Sequence, residues 1–161
     1  MPLPSTYTPI ATTTLGSAAR SITFSSIPGT YTDLIVVIRS LANAEAYFAT
    51  TFNSDAGNNY SSTYVFGTGS SVASSRQSNV GSIAGSRSDT NAVFILNIMN
   101  YANTTTYKTT LSRTSNAGQI AIAVVGLWRS TSAITSVTVS GQDSDWSSGT
   151  MATLYGIKAA S

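Results

Sequence analysis

Residues 119–140, QIAIAVVGLWRSTSAITSVTVS, decide how the chain is read. They show an apolar run, a Ser/Thr-rich turn and a second run that alternates. Apolar runs of four to eight residues bounded by turn residues fit buried β-strands. In the second run Val137 and Val139 share a face and Ile134 falls out of phase, which places a turn or bulge between them.

The same pattern recurs on both sides. Residues 7–15 form a Thr-rich edge-strand candidate. Residues 21–25 (SITFS) alternate, with Ile22 and Phe24 inward. Pro28-Gly29 marks a turn. Residues 34–38 (LIVVI) and 92–99 (AVFILNIM) are apolar on both faces. In 47–53, Phe48 and Phe52 are in phase. Residues 107–113 (YKTTLSR) read as a wetter strand, and 150–157 (TMATLYGI) close the series, with Leu154 opposite Met151, Tyr155 and Ile157. No stretch sustains a 3.6-residue apolar period, and the best helix candidate, 41–47, is short and Ala-rich. Short strands separated by polar turns predict an all-β chain, an antiparallel β-sandwich whose strand count fits a jelly roll.

Residues 53–91 stand apart. They are rich in Ser, Gly and Asn, with Tyr60, Tyr64, Val65, Phe66, Val80 and Ile83 as anchors. A short strand or helical turn near 60–66 is expected, followed by one long irregular excursion over the surface. Residues 1–9 hold three of the four prolines (Pro2, Pro4, Pro9) and read as an extended N-terminal arm. Residues 10–161 then make a single β-sandwich domain. The runs 34–38, 92–99 and 120–127 do not alternate as strands with one wet face do. Their outer faces need cover, from the excursion or from another subunit.

Composition excludes much chemistry. The 161 residues contain no Cys and no His. Disulfides, thiolate nucleophiles and the usual general base are therefore absent. Only 9% of residues are charged, against about a quarter in ordinary soluble domains. The net charge is +2, and the arginines are scattered rather than clustered, so no nucleic-acid partner is expected. No apolar run reaches the ~20 residues of a membrane helix, and 1–14 lacks the charged and apolar regions of a signal peptide. The expectation is synthesis in the cytoplasm and no membrane partner.

Asp143 and Asp145, in one Ser/Gly loop, are a weak calcium candidate that falls short of an EF-hand pattern. Asp55 and its Asn neighbours in 53–59 serve turns first. Glu45 is the only Glu, and a glycosidase would need two carboxylates held rigidly across a cleft. A Ser nucleophile lacks a base, and no motif supports Lys108 or Lys158 in that role. No catalysis and no cofactor are expected. Trp128 ends an apolar strand and reads as core or interface. Trp146 sits in a polar loop and reads as a surface platform for a sugar ring. Tyr7 on the arm and Tyr60, Tyr64, Tyr101 and Tyr107 suit interface anchoring, where Tyr is enriched.

The phrases YTPIATTTL, SITFSSIPGTYTDLIVVIRS, TFNSDAGNNYS, GLWRSTSAITSVTVS and MATLYGIKA together resemble a recurrent module of tailed-phage virion proteins, especially those of cyanophages. The resemblance spans essentially the whole chain. Its most telling pieces are 24–28, 31–34, Phe52-Asn53, Leu127-Trp128 and 153–157, none of them a catalytic signature. It implies a virion structural protein. The leading expectation is a capsid decoration (cement) protein, a homotrimer bound outside the major capsid protein. The alternative is a receptor-binding module of a tail fibre or spike, with Trp146 and the 53–91 loops meeting a host surface glycan. The absence of heptads and repeats favours decoration.

Overall fold

The computed structural model describes residues 6–41, 46–88, 91–116 and 120–158. Among the described residues no helix is present, and the chain forms twelve strands. They are β1 (Tyr7–Thr14), β2 (Ser21–Phe24), β3 (Asp33–Leu41), β4 (Ala46–Phe52), β5 (Tyr60–Gly67) and β6 (Val72–Val80). The remainder are β7 (Ile83–Ser88), β8 (Asn91–Met99), β9 (Lys108–Asn116), β10 (Ile120–Trp128), β11 (Val137–Gly141) and β12 (Met151–Ile157). They build two antiparallel sheets, one of eight strands in the order β1-β12-β3-β8-β9-β10-β5-β6 and one of four in the order β2-β11-β4-β7.

The sheets pack face to face as a sandwich. Leu34, Val36 and Ile38 of β3 and Phe94, Leu96 and Ile98 of β8 point inward from the large sheet. They meet Ile22 and Phe24 of β2, Phe48 and Phe52 of β4, and Val137 and Val139 of β11. Phe48 stacks on Phe94 across the layers at 4.3 Å between centroids. The pairing is nested: β1 with β12, β2 with β11, β3 with β8, β4 with β7. Two hairpins, β5–β6 and β9–β10, are spliced into this scheme. Both extend the large sheet beyond β8.

The strands β10 and β11 of the opening stretch lie in different sheets. The chain crosses between layers over 129–136, and Asn53 pins the crossing. Its carboxamide oxygen accepts the N–H of Thr135 (2.8 Å) and of Ser136 (3.1 Å), and its NH₂ donates to the Ala133 carbonyl (2.8 Å). Asn53 holds φ at 51°, a left-handed conformation Asn tolerates better than most residues. Ile134, out of phase in the sequence, is buried in this crossing rather than in β11.

Three expectations need correction. The strand expected near 60–66 is β5, which pairs with β10, but the irregular excursion expected after it is instead two strands, β6 and β7. The β5–β6 hairpin widens the large sheet, β7 joins the small one, and none of the three folds over the large sheet's outer face. Backbone ladders need no apolar side chains, and β6 is an edge strand exposed from Val72 through Asn79, so it shows no alternation. Asn79, at φ 55°, is the extra residue of a bulge opposite Tyr60–Ser61. The arm boundary at 9/10 also moves. Tyr7 to Pro9 belong to β1, with Tyr7 opposite Ile157 and Pro9 opposite Tyr155. Pro is tolerated there because β1 is an edge strand, and a bulge follows it. Finally, the helix candidate dissolves: Leu41 ends β3, 46 and 47 open β4, and 42–45 lie outside the described residues.

The wetter strand β9 is inside out. Lys108, Thr110, Ser112 and Thr114 face inward and are buried, while Leu111 is exposed. Lys108 Nζ donates to the carbonyls of Thr106 (2.9 Å) and Thr131 (3.2 Å), and burial pushes its pKa down. Gly126 of β10 makes room beside it. A Cβ there would stand 2.5 Å from Thr110 Oγ1 and 2.6 Å from the Ile83 side chain.

Candidate functional site

The period-2 alternation of the large sheet leaves a second apolar surface on its outer face. Two cross-strand rows carry it. One runs Tyr155, Ile35, Asn97, Leu111, Val125, Thr63 across β12, β3, β8, β9, β10 and β5. The next runs Thr153, Val37, Ile95, Arg113, Ala123, Val65. Val125 is 56%, Val65 48% and Leu111 45% exposed. Exposure on this scale is confined to β9, β10 and β5, while Ile35, Val37, Ile95 and Tyr155 on β3, β8 and β12 are half-buried; together they make an aliphatic patch with Asn97 and Arg113 set into it.

Over β12, β3, β8 and β9, with Tyr7 of β1 at its edge, the patch dips into a shallow groove of about 530 Å³. Ile35, Val37 and Ile95 form its floor, Tyr7 and Tyr155 one wall, Asn97 and Arg113 the other. The Asn97 NH₂ donates to the Leu111 carbonyl at 3.3 Å. Arg39, Arg76 and Arg113 stand exposed on this face, from β3, β6 and β9. Its only acid among the described residues is Asp33, whose Oδ1 accepts the Asn100 N–H at 2.6 Å. Among the described residues the one ion pair is Arg20–Asp145, at 3.7 Å, away from this face.

The residues singled out from sequence fall into three places. Trp146 requires a correction: its ring is fully buried, not a surface platform. A two-way bridge with Ala19 (both N–H···O distances 3.0 Å) ties its backbone down, and the ring packs 5.6 Å from Phe48. Tyr60 and Tyr101 are also core, and Tyr64 is half-buried against Phe66. Burial pushes the Tyr60 phenol up to about 12. Tyr7 and Tyr107 are exposed, and Tyr7 reaches the groove. Asp143 is exposed and Asp145 pairs with Arg20. Among the described residues no group of three or more acidic, His or Cys side chains gathers as a metal site would need.

Trp128 is buried and structural. Its ring stacks on Tyr60 at 14° between planes, and its indole N–H donates to Asp55 Oδ2 at 2.7 Å. That bond first, then Asn59 and the Gly57 N–H, hold the Asp55 carboxyl below its ordinary 3.8, against the opposing pull of burial. A carboxylate with a depressed pKa stabilises the fold above the ordinary value, and the contribution is lost as pH falls through the folded value. Asp55→Ala should cost about 1.5–3 kcal/mol at neutral pH, the range for hydrogen bonds to a charged group. Urea unfolding from pH 7 down to 3 should show the gap between wild type and variant closing below pH 4. A gap constant with pH would contradict this assignment.

The outer-face residues Leu111 and Arg113 were missed in the sequence. The available signal was their shared phase in YKTTLSR, opposite to Lys108 and Thr110, but ordinary hydrophobicity points Leu111 inward.

No protein family and no curated protein matches the sequence. Among solved structures, the chain is similar to exo-inulinase from Aspergillus awamori, with a TM-score of 0.50 and 11% identity. The match covers 94% of this chain and 29% of that one, so the chain spans less than a third of the enzyme's length. At that identity the likeness shows a shared β-sandwich fold alone.

Proposed function

We propose that this chain is a virion structural protein of a tailed phage. It acts as a capsid decoration (cement) protein that lays the outer face of its large sheet on the outside of the major capsid protein. The observation that carries the reading is that face: aliphatic side chains of β3, β8, β9, β10 and β5 in register, half-buried at Ile35, Val37 and Ile95 and exposed at Leu111, Val125 and Val65. Eight strands at about 4.8 Å spacing and about eight residues of length give a face near 34 by 26 Å. That is roughly 900 Å², close to the ~800 Å² per partner of a standard protein interface. Tyr, Arg and aliphatic side chains around a shallow groove are also what interface centres favour.

The nested pairing supports reading the eight strands outside β5, β6, β9 and β10 as a jelly roll with two inserted hairpins. The role is binding rather than catalysis, since the chain has neither His nor Cys and among the described residues no three carboxylates gather. The protein assembles in the host cytoplasm and resides on the capsid exterior, as a trimer, in keeping with the phage resemblance. The glycan-binding alternative has lost its platform with the burial of Trp146.

The test is a titration of shells purified from particles that lack this protein. Wild type should bind and saturate. The double variant Val125→Asp, Leu111→Asp places two charges in the patch, and its affinity should fall by about a hundredfold or more. Both side chains are exposed, so thermal stability should change little. Shells that ignore the wild-type protein would overturn the reading.

A further inference from the structure

The outer face could in principle be covered by a second copy of itself or by a different protein, and its charges separate the two. Arg39, Arg76 and Arg113 rise from it, and the single acid among the described residues, Asp33, is already engaged by a backbone N–H. Pairing two such faces sets three arginines of one copy against three of the other with one carboxylate per face, Asp33, among the described residues, and like charges brought together in a drying interface oppose association. Arg113 has the most consequential position. In register it stands between Ile95 and Ala123, and it forms the polar wall of the groove opposite Tyr155. A guanidinium so placed is desolvated by any partner that covers the apolar floor, and it then needs a planar anion to accept its fork of donors.

We infer that the outer face of the large sheet docks a different protein, not its own copy. That partner's surface offers an apolar side chain to the Ile35–Val37–Ile95 floor and a carboxylate to Arg113. The inference rests on the assembly reading above and adds the chemistry of the partner to it. A nucleic-acid backbone is disfavoured, because it offers phosphates to the arginines but nothing to the aliphatic floor between them.

The experiment uses the same protein-free shells, with co-sedimentation at low and high salt and double-stranded DNA as a second probe. Arg113→Glu should bind the shells about tenfold more weakly or worse, and Arg113→Lys should recover part of the loss. Arg20→Gln, which removes a cation from outside this face, should bind as wild type does. Wild-type affinity should fall with salt, and DNA should not retain the protein. Thermal unfolding of Arg113→Glu confirms that the exposed substitution leaves the fold intact. Shells that bind wild type and Arg113→Glu equally overturn this inference and leave the assembly reading standing. Retention on DNA with the same Arg113 dependence overturns it in favour of a polyanion. Shells that bind no wild-type protein overturn the assembly reading and this inference with it.

Discussion

Trp146→Ala should lower stability by about 3–5 kcal/mol, the range for truncating a large buried aromatic. The ring has no exposed surface, and it lies 5.6 Å from Phe48, which itself stacks on Phe94 of the opposite sheet. Removing the indole leaves a void beside the one stacked aromatic pair that joins the two layers. It also loosens the segment after β11, whose backbone is tied to Ala19 through Trp146 and to Leu41 through the Ser147 N–H at 2.7 Å. For a chain of this size the loss corresponds to a Tm lower by about 10–15 °C. Trp146→Phe should cost less, because Nε1 has no hydrogen-bond partner among the described residues and its removal relieves a buried N–H. Urea and thermal unfolding of the two variants give the numbers. A Trp146→Ala cost within about 0.5 kcal/mol, as for an exposed residue, would mean that the indole faces solvent after all.

Gly85→Ala should cost about 3 kcal/mol or more, although it adds a single methyl group. The new Cβ would lie 2.3 Å from the Phe48 carbonyl oxygen and 2.4 Å from Phe48 Cβ. Neither atom is the end of a flexible side chain. The β4–β7 register shifts at this point, between Tyr47 and Ala49, and the glycine lets the two backbones approach across the bulge. Relief requires moving Phe48, which carries contacts to both Phe94 and Trp146. Gly16→Ala is the control, since a Cβ there meets nothing within 4 Å. Equal stability for the two variants would show that β7 can shift freely away from β4, and the close approach would then have no structural weight.

The core layer was legible because its strands are strongly apolar. The runs at 34–38, 92–99 and 120–127 became β3, β8 and β10, and Phe48 and Phe52 share the buried face their spacing required. The same runs carried the clue to the candidate site. An antiparallel strand that is apolar on both faces must hide both, and Ile35, Val37, Ile95 and Val125 are the outward half of those runs.

What escaped had physical causes. Strand β6 buries almost nothing, so neither composition nor period could reveal it. Strand β9 takes its phase from its ladders with β8 and β10, which outweigh the preference of Lys108 for water and of Leu111 for the core. The small sheet's β7 lies over this region, where Gly126 and the hydroxyls of Thr110, Ser112 and Thr114 leave room for Ile83. Trp146 misled because its sequence neighbours are polar, whereas its burial is decided by Ala19 and Phe48, far away along the chain.

The proposed docking surface is the large sheet's outer face. An electron-microscopy map of shells saturated with this protein tests it most directly. Density for the sandwich is expected on the outside of the shell, with Ile35, Ile95, Arg113 and Val125 against the major capsid protein and the four-stranded sheet β2-β11-β4-β7 on the far side. A map in which that eight-stranded face points to solvent, or in which the shell carries no such density, would contradict it.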